Sequence, residues 1–126
     1  MKSLPLISAF LLAPLLPLPV LLATPAAAAV TISDLGDLSA MRAIVQDTAD
    51  LVKKGDLSGA VGRITDWETA WDQAQQTLRP KNKTQWRFVD DASDAALAAL
   101  RAKPQVLPTI TATLTALLAA LDNPGQ

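Results

Sequence analysis

The pattern of apolar and polar positions divides the chain into an apolar N-terminal stretch and four later segments with helical spacing. Residues 4–23 are apolar and uncharged, whereas apolar side chains from residue 38 onward recur at three- and four-residue steps. That spacing places them on one face of an α-helix. Two-residue alternation, which would indicate half-buried strands, is almost absent. The pattern therefore predicts an all-α protein.

Local start and stop signals set the limits of the helices. Gly55 can take the left-handed conformation that ends a first helix, and Asp56 is placed to cap the second. Pro80 stops the second helix, because the residue before a proline is pushed away from helical geometry. Asn82 or Thr84 can cap the third. The predicted helices cover residues 38–54, 57–79, 84–102 and 106–122.

Four helices of similar length with short connections can fold back only as antiparallel neighbours. This predicts a single domain, residues 30–126, folded as an up-down-up-down four-helix bundle. The fourth helix carries no charge over residues 105–121, which raises the alternative of a membrane span. Its four threonines and its limited length favour a buried bundle helix instead.

Three tryptophans lie on the predicted inner faces of the second and third helices. Trp67 and Trp71 belong to the apolar line of the second helix, and Trp86 begins the line of the third. A ligand platform is the alternative, but core packing explains all three positions. We expect each indole N–H to find a polar partner at the edge of the core.

The N-terminal stretch has the features of an export signal. Lys2 precedes the apolar run, and the small residues 26–29 offer a cleavage site after Ala29. Four prolines interrupt the run, which disfavours a retained membrane anchor, the alternative interpretation. We therefore predict a signal peptide at residues 1–29 and a periplasmic or secreted protein. A lipid anchor on cysteine is excluded, because the chain has none.

The charge and composition of residues 30–126 exclude several classes of function. These 97 residues carry ten Lys and Arg against twelve Asp and Glu, which argues against a nucleic-acid partner. The chain has no His, Cys or Tyr, and no Ser or Lys of residues 30–126 stands in a recognisable nucleophile setting. Without imidazole or thiolate, the usual haem, zinc and copper ligands are missing. We expect a non-enzymatic protein that has no cofactor and that binds either an envelope protein or another copy of itself. An enzymatic function would need a partner chain to supply the missing groups.

One set of carboxylates could still bind a cation. Glu68 and Asp72 share a face of the second helix, and Asp90 and Asp94 share a face of the third. A hairpin turning near residue 81 would bring residue 68 opposite 94 and residue 72 opposite 90. The two pairs then either face each other or both point away. If they face each other, the four oxygen ligands suit Ca²⁺, Mg²⁺ or Mn²⁺.

The alternative is that these carboxylates are ordinary residues at the bundle edge. Arg87 and Arg101 lie on the same flank of the third helix and could neutralise them without any metal. Both interpretations are compatible with the spacing.

The predicted hairpin also carries a recognisable motif. It reads W-x-x-A-W-D from Trp67 to Asp72, then L-x-P ending at Pro80, and continues through Trp86 and Asp90 to the Leu-Arg pair at residues 100–101. This motif resembles that of a group of small exported bacterial helical proteins of uncharacterised function. The likeness covers about residues 60–103 and implies export and a helical fold, but no activity. Exported bundles that bind metals or haem share only the general shape, since they use histidine-containing motifs.

Overall fold

The computed structural model describes residues 33–125, which form four α-helices and no strand. This confirms the all-α prediction. The predicted signal peptide, residues 1–29, lies outside the described residues. The helices are α1 (Ser39–Lys53), α2 (Leu57–Leu78), α3 (Lys83–Arg101) and α4 (Leu107–Asp122). Each predicted limit differs from the observed one by a single residue at most.

The helix ends show the predicted capping residues at work. Gly55 has a φ of 80°, and the N–H of Asp56 donates to the Leu51 carbonyl at 2.9 Å, which closes the end of α1. The Asp56 carboxylate then accepts from the Gly59 N–H at 2.8 Å and caps α2. Of the two candidates for α3, Asn82 is the cap, accepting from the Gln85 N–H at 3.0 Å.

The end of α2 was predicted at the right place for the wrong reason. Arg79 precedes Pro80 yet keeps helical backbone angles, with φ −55° and ψ −42°. What ends the hydrogen-bond ladder is Pro80 itself, because proline has no N–H to donate back to the preceding turn. The N–H of Lys81 instead donates to the Leu78 carbonyl at 3.0 Å, which closes a tight turn.

The four helices form a closed ring. Connections of three to five residues join them, so that each helix packs against the next and α4 packs back against α1. Within residues 33–125 the diagonal pairs, α1 with α3 and α2 with α4, make no close backbone approach. This is the predicted up-down-up-down arrangement, and it leaves one shared core along the axis of the bundle.

The segment before α1 contributes to that core. Leu38 is buried, as its place on the predicted apolar line implied, whereas Leu35, which the helical spacing did not predict, is only 1% exposed. The segment is tied to α3, because the N–H of Asp34 donates to the side-chain carbonyl of Gln85 at 3.1 Å. A short non-helical segment has no periodicity to reveal which side chain it buries.

The uncharged helix α4 is part of the core. Its four large inward residues are buried, namely Ile110, Leu114, Leu117 and Leu121. Two of its threonine hydroxyls bond to their own helix: Thr113 donates to the Thr109 carbonyl at 2.9 Å, and Thr115 donates to the Thr111 carbonyl at 2.8 Å. Across the described part of the chain, no helix combines the length and the apolar character that crossing a bilayer requires.

Candidate functional site

The tryptophans of α2 and α3 form a continuous stack between the two helices. The Trp67 and Trp71 rings lie 5.2 Å apart at 17°, and the Trp71 and Trp86 rings lie 5.9 Å apart at 9°. All three side chains are buried. The Arg79 guanidinium lies 5.3 Å from the Trp86 ring and covers its outer end. The predicted core role is thus confirmed.

The indole N–H groups differ in how they are satisfied. Trp67 donates to the Ser93 hydroxyl at 2.6 Å, and Trp71 donates to the Asp90 carboxylate at 2.9 Å. The Trp86 N–H is buried and has no partner among the described residues, so the expectation of a polar partner for each indole is wrong there. The bond from Trp71 to Asp90 agrees with the predicted register, in which residue 72 faces residue 90.

Asp90 lies where the tryptophan stack meets the surface. Burial raises the pKa of the Asp90 carboxyl above its usual value, although the hydrogen bond from Trp71 works in the opposite direction. Repulsion from the carboxylates of Asp94, Asp91 and Asp72 raises the pKa further. Asp90 is therefore a half-buried carboxylate in an acidic neighbourhood, held in place by one indole.

Glu68, another of the four predicted cation ligands, pairs with an arginine. Arg101 donates to both Glu68 oxygens, at 2.9 and 3.2 Å, and also to the Thr65 hydroxyl at 3.3 Å. This pairing lowers the pKa of Glu68. The arginine alternative therefore holds for Glu68. Arg87, the second candidate partner, forms no ion pair with any residue from 33 to 125.

The carboxylates that do come together lie on α3 alone. Asp90, Asp91 and Asp94 each place one oxygen within 4.8 Å of the others, and this group contains neither Glu68 nor Asp72. Asp72 is exposed on the facing helix. Three carboxylates so arranged could chemically accept a hard divalent cation, although exposed acidic groups are also common without one.

Asp91 was missed because the sequence reasoning considered only pairs four residues apart. It follows Asp90 directly and precedes Asp94 by three positions, a spacing that also places two residues on one helix face. The sequence therefore contained a signal for Asp91.

A second surface was also missed. A shallow groove runs along the first turns of α3 and reaches Gly125, which follows α4. Phe88, one of the residues that line this groove, is 40% exposed. We call it the Phe88 groove. It is lined by Lys83, Thr84, Arg87, Phe88, Asp91 and Gly125.

Phe88 is exposed because of its position in the helix. It directly precedes Val89, which is fully buried, and adjacent residues point about 100° apart around an α-helix. The spacing of the inner line therefore assigns Phe88 to the boundary of the exposed face. Single exposed apolar side chains are common on protein surfaces, so nothing in the sequence singles out Phe88.

Comparisons with protein-family models, with curated proteins and with solved structures find no match for this chain. The resemblance to small exported helical proteins therefore stays a prediction.

Proposed function

We propose that this chain is an exported, non-enzymatic binding module of the bacterial envelope that engages a protein partner through the Phe88 groove. The observation that carries the proposal is a large aromatic side chain, 40% exposed, on a helix whose other face is locked into the core. Aromatic residues and arginine are enriched at protein–protein interfaces relative to the rest of the surface.

The charges beside Phe88 indicate which partner would fit. Lys83 and Arg87 are exposed and form no ion pair in the part of the chain that the structure describes. Both lie in the first turns of α3, where the helix dipole adds positive potential. Asp91 bounds the groove on the other side. The complementary partner is a protein segment that carries an apolar side chain next to an acidic one.

Features of the sequence support the rest of the proposal. The apolar stretch and the alanines before Val30 support export, and the absence of His, Cys and Tyr supports a role without catalysis. Export is tested by sequencing the N-terminus of the protein from the periplasmic fraction, where we expect the chain to begin at Val30. An intact Met1 in the membrane fraction would instead establish a retained anchor.

Site-specific crosslinking tests the groove. A photoreactive amino acid replaces Phe88 in one variant and the exposed Thr115 of α4 in a matched control. We expect a discrete adduct only from position 88. The partner identified in that adduct should bind the purified native chain and should bind the Phe88→Ser variant more weakly. An adduct with the chain itself would identify self-association. Equal labelling from both positions would refute the groove.

A divalent-cation-binding module is the second candidate. It is favoured by the close approach of Asp90, Asp91 and Asp94 and stays a prediction. If it is correct, Ca²⁺, Mg²⁺ or Mn²⁺ raises the melting temperature of the native chain, and the rise vanishes when Asp90→Asn and Asp94→Asn are combined. Glu68→Gln is the matched control, since Glu68 already pairs with Arg101. No shift with the native chain would eliminate this function.

A further inference from the structure

The end of the bundle opposite the Phe88 groove brings together two connections. The turn between α1 and α2 and the connection between α3 and α4 lie at this end, because the helices alternate in direction. We call it the lysine end; it comprises residues 53–57 and 102–108. The start of the described chain and Gly125 lie at the other end, beside Gln85 and the groove.

Large apolar side chains are exposed at the lysine end. Val106 is 49% exposed and Leu107 is 53% exposed, the largest values among the big apolar residues that the structure describes. Pro104 and Pro108 on either side are exposed as well. The side-chain amide of Gln105 donates to the Leu100 carbonyl at 2.7 Å, which ties the connection to α3. The apolar residues therefore project from an anchored connection.

Three lysines lie at the same end of the bundle as these apolar residues. Lys53, Lys54 and Lys103 are exposed, and none forms an ion pair within residues 33–125. Asp56 also lies at this end, where its carboxylate caps α2 and keeps its negative charge. Arg101 is already paired with Glu68. The lysine end thus carries three unpaired ammonium groups and one carboxylate at the same end as its exposed apolar residues.

We propose that the lysine end binds the surface of an anionic phospholipid membrane. Val106 and Leu107 enter the boundary between headgroups and acyl chains, while the three lysines contact the phosphates. Neither contribution is large alone, but apolar insertion and electrostatic attraction together give reversible interfacial binding. An acidic protein segment without apolar groups would satisfy the lysines but leave Val106 and Leu107 exposed.

This inference goes beyond the proposed function, and the two use opposite ends of the bundle. One chain could then lie on a membrane by one end while the Phe88 groove at the other end holds a protein. Because the surfaces share no residue, failure of one proposal leaves the other standing.

Vesicle binding tests the proposal directly. The protein is purified in the form in which cells process it and is mixed with vesicles of phosphatidylglycerol and phosphatidylcholine or of phosphatidylcholine alone. We expect binding to the anionic vesicles that weakens as salt is added, and little binding to the neutral ones. Each lysine contributes about fivefold in affinity, so replacing all three by Gln lowers affinity roughly 100-fold. Leu107→Ser lowers it by about five- to tenfold.

A matched control separates position from net charge. Lys81, Lys83 and Arg87, all exposed, are replaced by Gln in one variant, which removes the same charge from the opposite end. This variant should bind vesicles within about twofold of the native chain, because exposed charges more than about 10 Å away are largely screened. Circular dichroism melting of each variant ensures that the compared proteins are folded.

Local labelling gives a readout that does not depend on affinity. The native chain has no cysteine, so a single Leu107→Cys or Phe88→Cys variant can carry a polarity-sensitive dye. We expect a blue shift with anionic vesicles for the dye at position 107 and none at position 88. Equal shifts at both positions, or equal losses in the two charge variants, would overturn the proposal, as would binding to polyglutamate but not to vesicles.

Discussion

The interface of α2 with α3 and the buried face of α4 solve the same packing problem by different means. The first, the tryptophan seam, stacks three indoles, two of which donate hydrogen bonds across to α3. The second, the aliphatic seam, buries Ile110, Leu114, Leu117 and Leu121 of α4. These side chains have no polar atoms and so define volume but no hydrogen-bond register.

The two seams differ in how strongly they fix the relative positions of the helices. A hydrogen bond from a buried indole requires its acceptor at one position, and sliding the helices would leave the donor unpaired at a cost of about 1–3 kcal/mol. Aliphatic side chains tolerate repacking when volume is preserved. We therefore expect the stability of the tryptophan seam to depend on its hydrogen-bonding groups and that of the aliphatic seam to depend mainly on side-chain volume.

The largest expected effect is the loss of the central tryptophan. Trp71→Ala should lower the free energy of unfolding by about 3–5 kcal/mol, because it leaves a cavity between two rings and frees the half-buried Asp90. Leu114→Met, a change that preserves volume in the aliphatic seam, should cost less than about 1.5 kcal/mol. Urea unfolding monitored by circular dichroism measures both. Similar costs for the two variants would contradict the comparison.

Removing a hydrogen-bond acceptor should have the next largest effect. Ser93→Ala leaves the buried Trp67 N–H without a partner and should cost about 1–3 kcal/mol. Thr48→Val is the matched change outside the seam. The buried Thr48 hydroxyl donates to the Ile44 carbonyl of its own helix, which keeps its backbone hydrogen bond when the hydroxyl is lost. The cost of Thr48→Val should therefore be well below that of Ser93→Ala in the same unfolding experiment.

Replacing Asp90 by Asn should have a smaller effect on the free energy of unfolding, and it should stabilise the protein. Its pKa is raised in the folded protein, so ionised Asp90 destabilises the fold at pH 7. Asp90→Asn keeps an oxygen for Trp71, removes the repulsion and should stabilise the protein by less than about 1 kcal/mol. As the pH falls through the folded pKa toward the unfolded value, Asp90 gains a proton and the advantage of Asn disappears. Melting temperatures at pH 7 and pH 3 measure this difference; an advantage that persists at pH 3 would refute the assignment.

The ion pair between Glu68 and Arg101 at the rim of the tryptophan seam should contribute least to stability. The pKa of Glu68 is lowered, so its stabilising effect is present above the unfolded value and is lost as the pH falls through the folded one. Because both partners are largely exposed, Glu68→Gln should cost only about 0.2–1 kcal/mol, and less at high salt. The pair of Arg42 with Asp122, at the rim of α4, is the control and should behave alike.

Part of the candidate site could be predicted from the sequence. The register around a turn near residue 81 predicted residue 72 opposite residue 90, and the hydrogen bond from the neighbouring Trp71 to Asp90 agrees with it. The partner of the Glu68 carboxylate could not be predicted, because a long side chain at a helix edge can reach partners in several directions. Only the positions of the surrounding side chains show that Arg101 is the partner it meets.

The sequence by itself determined the helices and where they end, because capping by Asp56, the left-handed Gly55 and the missing N–H of Pro80 act within a few residues. It also determined the antiparallel order, since the connections are too short for another path. Packing of the whole bundle was needed to show that Leu35 enters the core and that the Trp86 N–H stays unpaired. These outcomes depend on distances between side chains that share no local rule, and such distances are fixed only when the whole bundle closes.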